Sequence, residues 1–169
     1  MEIAFIILIA LAVSGVLAYI IYRFKTRAKR KEKRKRKKLQ EKVNRLSNNQ
    51  TELTPQQFFE LREQTFSQKH DRRRYKKLNF EGVYVLYNST KNKYYVGQGK
   101  RILDRVNMHF TGKGNGDVYA DYKYGDNFTI KMIGLERSGY KSLNALERDT
   151  IEVFNAQSTG YNKTKGNKD

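Results

Sequence analysis

The chain has 169 residues, 35 Lys and Arg against 17 Asp and Glu, and a net charge of +18. That length holds one modest domain plus appendages. With no cysteine and only two histidines, His70 and His109, a disulfide framework and a zinc-thiolate site are excluded, and a histidine-rich metal site has little to draw on. Such a charge balance implies polyanionic partners, nucleic acid or anionic lipid. It is also uneven: residues 1–77 carry 21 basic and 7 acidic side chains, against 14 and 10 in residues 78–169.

Residues 3–22 contain no charged side chain. As a helix rising about 1.5 Å per residue they span about 30 Å, the thickness of a bilayer's hydrocarbon core. Tyr19 and Tyr22 lie near one end, as interfacial aromatics do. A cleaved signal peptide would begin with basic residues, and here only Met1 and Glu2 precede the run. A buried helix of a soluble protein would show a polar stripe, and none is present. Residues 1–22 therefore read as a transmembrane anchor.

Residues 23–45 then hold fourteen Lys and Arg against two Glu. Positive charge flanking a span stays cytoplasmic. This predicts a single-pass protein of the cell membrane, N-terminus out and the bulk of the chain in the cytoplasm. The basic stretch fixes orientation and lies against anionic lipid, each charge contributing about 1 kcal/mol near the surface; it could also hold DNA phosphates. Leu39, Val43 and Leu46 make a weak helical stripe suited to a short partner contact. Residues 47–52 are polar and read as a linker. Thr54-Pro55-Gln56-Gln57 predicts a helix start, with Thr54 capping, Pro55 at the first position and Gln57 closing a capping box. Phe58, Leu61 and Phe66 would pack that helix on the domain. Arg72, Arg73, Arg74, Lys76 and Lys77 form a second basic knot. Residues 23–79 thus read as a basic juxtamembrane region, part helix and part linker.

From Phe80 the texture changes. Val83 to Tyr87 and Tyr94 to Val96 are aromatic and β-branched around a turn-rich segment, which predicts a β-hairpin. Residues 101–110 read as a helix, the glycine-rich residues 111–126 as a loop, 128–133 as a third strand, and 142–155 as a second helix with Ser142 as N-cap. The order β-β-α-β-α predicts an α+β domain over residues 80–167, with a small three-stranded antiparallel sheet flanked by helices.

Chemistry-bearing residues recur along this domain. Gly82, Tyr84 and Leu86 share one face of the first strand; Tyr95 and Gly97 share one face of the second. If the faces coincide, two phenols stand together and Gly97 leaves room for a substrate. Arg101, Arg105 and His109, spaced by four, line one side of the first helix as a phosphate-facing edge, or as a solvated stripe. On the last helix Leu143, Leu146, Thr150, Ile151 and Phe154 share a face. Glu147 lies inside that apolar stripe. A carboxylate there costs several kcal/mol unless it is paired or metal-bound. It is either bonded to a buried Tyr or Arg, or it is a ligand.

The set resembles the GIY-YIG nuclease family. Gly82-Val83-Tyr84 and Tyr95-Val96-Gly97 stand for its two motifs, with valine in place of both isoleucines. Arg105 and His109 sit where the family has its helix arginine and, in homing-endonuclease-like members, a histidine. Glu147 falls on the helix of the family's metal-binding glutamate. Asn162 resembles its C-terminal asparagine, and Lys100 occupies a position that is often lysine. The resemblance covers residues 80–166. It implies phosphodiester hydrolysis with one divalent metal, Mg²⁺ or Mn²⁺, held by Glu147.

By the same resemblance Tyr84 would be the general base. A free phenol has a pKa of about 10, so nearby cations such as Arg105 or Lys100, or the metal's water shell, would have to lower it. Arg105 would stabilise charge on the phosphate. Tyr95 and His109 would position the nucleophile or phosphate, with His109 able to share base duty. Gly97, Lys100, Arg101 and Asn162 would meet the substrate or the backbone around it. One site cuts one strand; a double-strand cut needs a homodimer or two successive nicks. No zinc finger or obvious helix-turn-helix accompanies the domain. The expected function is a membrane-tethered DNA endonuclease of low sequence specificity, acting on incoming phage or foreign DNA. The alternative is a membrane-anchored nucleic-acid-binding module with weak or lost catalysis.

Overall fold

A computed structural model describes residues 2–67, 75 and 77–167, with the side chains of residues 3–13 not among those described. The chain divides into two compact units, Met1–Glu41 and Lys42–Asp169. Helix α1 covers Glu2–Asn48. More than half of the uncharged run read as an anchor lies outside the described side chains. Among the described residues no helix is long and apolar enough to cross a membrane. The Lys and Arg side chains between residues 23 and 38 are all exposed along α1, and Lys37 and Glu41 approach within 3.8 Å. His70 and the basic knot Arg72, Arg73, Arg74 and Lys76 lie outside the described residues.

The second unit begins upstream of Phe80. Val43 is fully buried and Ser47 nearly so, and Leu46 packs against the core cluster that contains Val83, Val85 and Val96. Two expectations are corrected here. The stripe at Val43 and Leu46 packs into this chain's own domain. The segment read as a linker is helical through Asn48, and Leu53 bridges to Ile130 with backbone hydrogen bonds of 3.0 and 2.8 Å. Leu53 thereby covers part of an otherwise open strand edge.

Helix α2 (Pro55–Ser67) starts on the expected capping box: Gln57 N–H donates to Thr54 Oγ1 at 3.2 Å and Thr54 N–H donates to Gln57 Oε1 at 2.9 Å. It buries Phe58 in the main core. Strands β1 (Gly82–Asn88), β2 (Lys93–Gly99) and β3 (Phe128–Gly134) form one antiparallel sheet in the order β2-β1-β3. The central strand is buried on both faces, so it is apolar almost throughout. The turn between β1 and β2 places Asn92 at φ 51°, a left-handed position that asparagine tolerates.

Helices α3 (Ile102–Phe110) and α5 (Leu143–Val153) sit on opposite faces of the sheet. One core joins Tyr84 and Leu86 to Ile102, Leu103, Val106 and Phe110 of α3. The other joins Val83, Val85 and Val96 to Leu146 and Ile151 of α5. Ser142 caps α5 as predicted, its hydroxyl accepting from Ala145 N–H at 3.1 Å. The expected loop at residues 111–126 is corrected: it contains helix α4 (Gly116–Lys123), capped by the Asn115 side chain, which accepts from the Asp117 and Val118 N–H groups. Gly112 (φ 80°) and Gly125 (φ 96°) turn the chain at either side of it.

Candidate active site

The hairpin register places the first groups. Tyr84 stands opposite Gly97, and Leu86 opposite Tyr95. Alternation then puts both tyrosines on the α3 face of the sheet. Their ring centroids are 6.2 Å apart. A methyl group on Gly97 would lie 2.5 Å from Tyr84 Cζ. Glycine is required here because the phenol ring occupies the space of a side chain. One register step on, a Cβ at Gly99 would meet Arg105 Cβ at 3.0 Å. The two glycines of β2 thus let Tyr84 and Arg105 close onto the strand.

His109 follows Arg105 by one turn of α3 and is fully buried. Its ring lies 5.4 Å from that of Tyr84 and 4.6 Å from that of Tyr95. Its Nε2 is 2.8 Å from the Tyr84 hydroxyl, and its Nδ1 accepts the backbone N–H of Asn115 at 2.9 Å. The expected cationic edge of Arg101, Arg105 and His109 is corrected. Arg101 is exposed and pairs with Asp104 through Nε at 2.9 Å; Arg105 is half-buried; His109 is inside.

Burial sets the protonation of this half of the site. Desolvation pushes the Tyr84 phenol well above its ordinary 10; the Tyr95 hydroxyl and the Glu147 carboxylate act in the same direction, and Arg105 opposes them. Arg105 does pull toward the phenolate, as anticipated, but burial outweighs it, so Tyr84 is a neutral phenol in the resting protein. Tyr95 is likewise raised by burial against Arg105. Burial, aided by Arg105, lowers His109 from 6.5 to about 4, leaving it a neutral imidazole at pH 7.

Glu147 comes from the opposite face. It is 7% exposed on α5, where the stripe Leu143, Leu146, Ile151 packs on the sheet. Its Oε2 accepts from Gln98 Nε2 at 3.1 Å and from the Asn167 backbone N–H at 3.4 Å. Gln98 Nε2 also donates to Asn144 Oδ1 at 2.7 Å. Burial raises the Glu147 carboxyl above its usual range, opposed by Asn167 N–H, Gln98, Arg105 and Arg148. Glu147 acts electrostatically on Tyr84 and Tyr95, and Arg105 acts on all four of Tyr84, Tyr95, His109 and Glu147. Tyr84 and Arg105 close onto Gly97 and Gly99 of β2, and Gln98 between them bonds Glu147, so the two faces meet at the glycine end of the edge strand.

The donor set fits a divalent cation held by one carboxylate. Among the described residues no three His, Cys, Asp or Glu side chains come together. A cation at Glu147 would keep most of its ligands as water, which is how Mg²⁺ binds. A desolvated carboxylate with its charge only partly compensated is also what such an ion would stabilise.

The remaining predicted residues separate. Asn162 makes two bonds to one residue: its Oδ1 accepts Val96 N–H at 2.8 Å and its Nδ2 donates to Val96 C=O at 2.7 Å. It therefore occupies the open edge of β2 as a further strand would, and both its polar ends are committed to the backbone. Lys100 is exposed at the end of β2. Sequence reasoning missed Gln98, Asn144 and Asn115. Strand alternation placed Gln98 on the α5 face, and Asn144 precedes Glu147 by one turn, so both were findable. The role of Asn115 rests on a backbone N–H, for which a side-chain pattern gives no signal.

Residues 80–162 match the family model of the GIY-YIG catalytic domain. No curated protein and no solved structure matches the chain.

Proposed function

Starting from residues 80–162, through which the chain belongs to the GIY-YIG family and is a nuclease, a phosphodiester hydrolase, we propose the following. It is a membrane-tethered, divalent-metal-dependent DNA endonuclease of low sequence specificity that cuts incoming phage or foreign DNA at the inner membrane face. The observation that carries the catalytic part is the meeting of Tyr84, Tyr95, Arg105 and His109 from one sheet face with Glu147 from the other. The uncharged residues 3–22 followed by fourteen Lys and Arg support the tether. The same basic stretch suits anionic lipid and DNA phosphate alike.

In this reading water attacks phosphorus, the bond from phosphorus to the leaving oxygen breaks, and the water's proton passes to the Tyr84 oxygen. Arg105 faces the phosphate and offsets the charge that grows on its oxygens. Tyr95 and His109 hold the Tyr84 oxygen and the nucleophile in place. Glu147 would hold the metal, which supplies Lewis-acid stabilisation of the phosphoryl and leaving oxygens. Tyr84 must first give its own proton to solvent and then take the water's proton as the phenolate, against a phenol pKa already above 10. Full burial of Tyr84 is the observation that favours the second reading, a membrane-anchored nucleic-acid-binding module with weak catalysis.

The test is cleavage of supercoiled plasmid by the full-length protein in detergent, with Mg²⁺, with Mn²⁺ and with EDTA. Metal-dependent nicking that is lost in Glu147→Gln supports the endonuclease. Plasmid binding without nicking in any metal supports the binding module instead. For the tether, added protease should spare the C-terminal domain in intact cells and digest it after lysis; digestion without lysis rejects the cytoplasmic placement.

A further inference from the structure

His109 is held from both sides. Nδ1 faces the Asn115 backbone N–H at 2.9 Å, and Nε2 faces the Tyr84 hydroxyl at 2.8 Å. A backbone amide can only donate. Its partner nitrogen must then be the bare, accepting one, and in a neutral imidazole the other nitrogen carries the hydrogen. His109 is neutral because it is buried among Tyr84, Tyr95 and the loop ahead of α4, with Arg105 as the charged group facing it. Its Nε2–H therefore donates to the Tyr84 oxygen.

The loop is built for this contact. Gly112 turns it at φ 80°, and Lys113 N–H closes it onto Met108 C=O at 2.8 Å. A Cβ on Gly114 would sit 2.6 Å from His109 Nδ1 and 2.9 Å from its Cα. The chain passes so close to the imidazole that no side chain fits between them. Asn115 is then fixed by its own side chain, which caps α4 and donates to Tyr161 C=O at 3.3 Å.

We propose that the Gly114–Asn115 backbone is a tautomer latch: the Asn115 N–H fixes His109 as an Nε2–H donor to the Tyr84 oxygen, so His109 is not the base that removes the Tyr84 proton. Asn115 is thus a positioning residue, acting through His109. The latch gives the Tyr84 oxygen a donor that strengthens as negative charge grows on it. The phenol's own proton is directed away from the imidazole. This deepens the endonuclease reading and rests on it for its catalytic meaning; the tautomer itself does not depend on that reading.

Asn115 has φ −75° and ψ 121°, a conformation proline adopts. Asn115→Pro removes the N–H and sets its ring Cδ where that hydrogen faced Nδ1, so the imidazole loses the donor and is pushed off the contact, and Asn115→Ala removes the same side chain while keeping the N–H. The full-length protein with ¹⁵N-labelled histidine is observed by long-range ¹H–¹⁵N correlation at pH 7, with His70→Gln separating the two histidines. The expected wild-type spectrum has an unprotonated Nδ1 and a protonated Nε2 at His109. Asn115→Ala should keep this signature, and Asn115→Pro should give a mixture of tautomers with plasmid nicking reduced roughly 10–100-fold relative to Asn115→Ala, the scale typical of lost outer-shell partners. A wild-type Nδ1–H signature overturns the latch, and so does an unchanged Nε2–H signature in Asn115→Pro. A wild-type protein with the expected tautomer and no nicking leaves the latch standing and rejects the nuclease reading.

Discussion

The two halves of the site are built from opposite materials. On the α3 face Tyr84 and His109 are fully buried, neutral, and fixed by ring packing and short hydrogen bonds. On the α5 face Glu147 is a carboxylate held by amides: Gln98, which is itself bonded to Asn144, and the Asn167 backbone. The first half gains precision from close packing. The second keeps a desolvated charge that an incoming cation would compensate. A small sheet thereby prepares both chemistries. The edge strand carries alternating roles, glycines toward the phenol and the arginine, and an amide toward the carboxylate.

The largest effect is expected at the charged half. Glu147→Gln keeps the shape and the bond from Gln98 but removes the anionic ligand. Metal stabilisation of transition-state charge contributes several kcal/mol, so nicking should fall by roughly 10³-fold or more. The buried carboxyl is disfavoured as an anion, so thermal unfolding should show no loss of stability. A variant that nicks at the parental rate would remove Glu147 from the mechanism.

Tyr84→Phe asks the same of the packed half. Loss of the base should lower the rate by roughly 10²–10⁴-fold. Here stability falls as well. His109 Nε2–H loses its acceptor while buried, which costs about 1–3 kcal/mol, and denaturant titration would report it. Destabilisation at Tyr84 with none at Glu147 would confirm that the phenol hydroxyl contributes to folding and the carboxylate charge does not. Equal effects at both would erase the distinction.

This asymmetry also explains what could be read from the sequence. The hairpin, the Thr54 capping box and the Ser142 cap follow from local patterns, and the structure has all three; the register, on which the coincidence of the two tyrosine faces depends, comes from the structure. Glu147 was legible because it interrupts an apolar stripe. His109 was misplaced on a cationic helix edge, since a spacing of four does not say which flank the sheet covers. Helix α4 was hidden because glycine density marks its two ends, at Gly112 and Gly125, and obscures the eight residues between. The docking of Val43 and Leu46 was read as a contact with a partner, because a short stripe does not reveal what covers it.

A third test uses pH. His109 is neutral in the folded protein down to about 4 and would titrate at 6.5 when exposed. Above 6.5 neither state binds the proton and His109 contributes nothing. Between 6.5 and 4 the unfolded chain binds it and the folded one does not, so stability falls with pH across that window. At about 1.4 kcal/mol per unit, the loss reaches about 3 kcal/mol near pH 4. Melting curves of wild type and His109→Gln should diverge below pH 6.5, with the variant losing less. Parallel curves would mean that the imidazole is not held neutral by the packed half.

The smallest effect should come from Gln98, and it separates the halves most cleanly. Its side chain faces α5, while Gly97 and Gly99 on either side face Tyr84 and Arg105. Gln98→Ala therefore removes a donor to Glu147 without touching the phenol or the imidazole. Outer-shell partners of a metal ligand typically account for 10–100-fold in metal affinity or activity. The Mg²⁺ concentration for half-maximal nicking should rise by about that factor, while the rate at saturating Mg²⁺ stays near the parental value. The His109 tautomer and the acid slope of stability should not move, because both belong to the other face. If Gln98→Ala lowers the saturated rate and leaves the Mg²⁺ requirement unchanged, Gln98 acts on the reacting groups rather than on the ligand, and the division of the site at the edge strand is wrong.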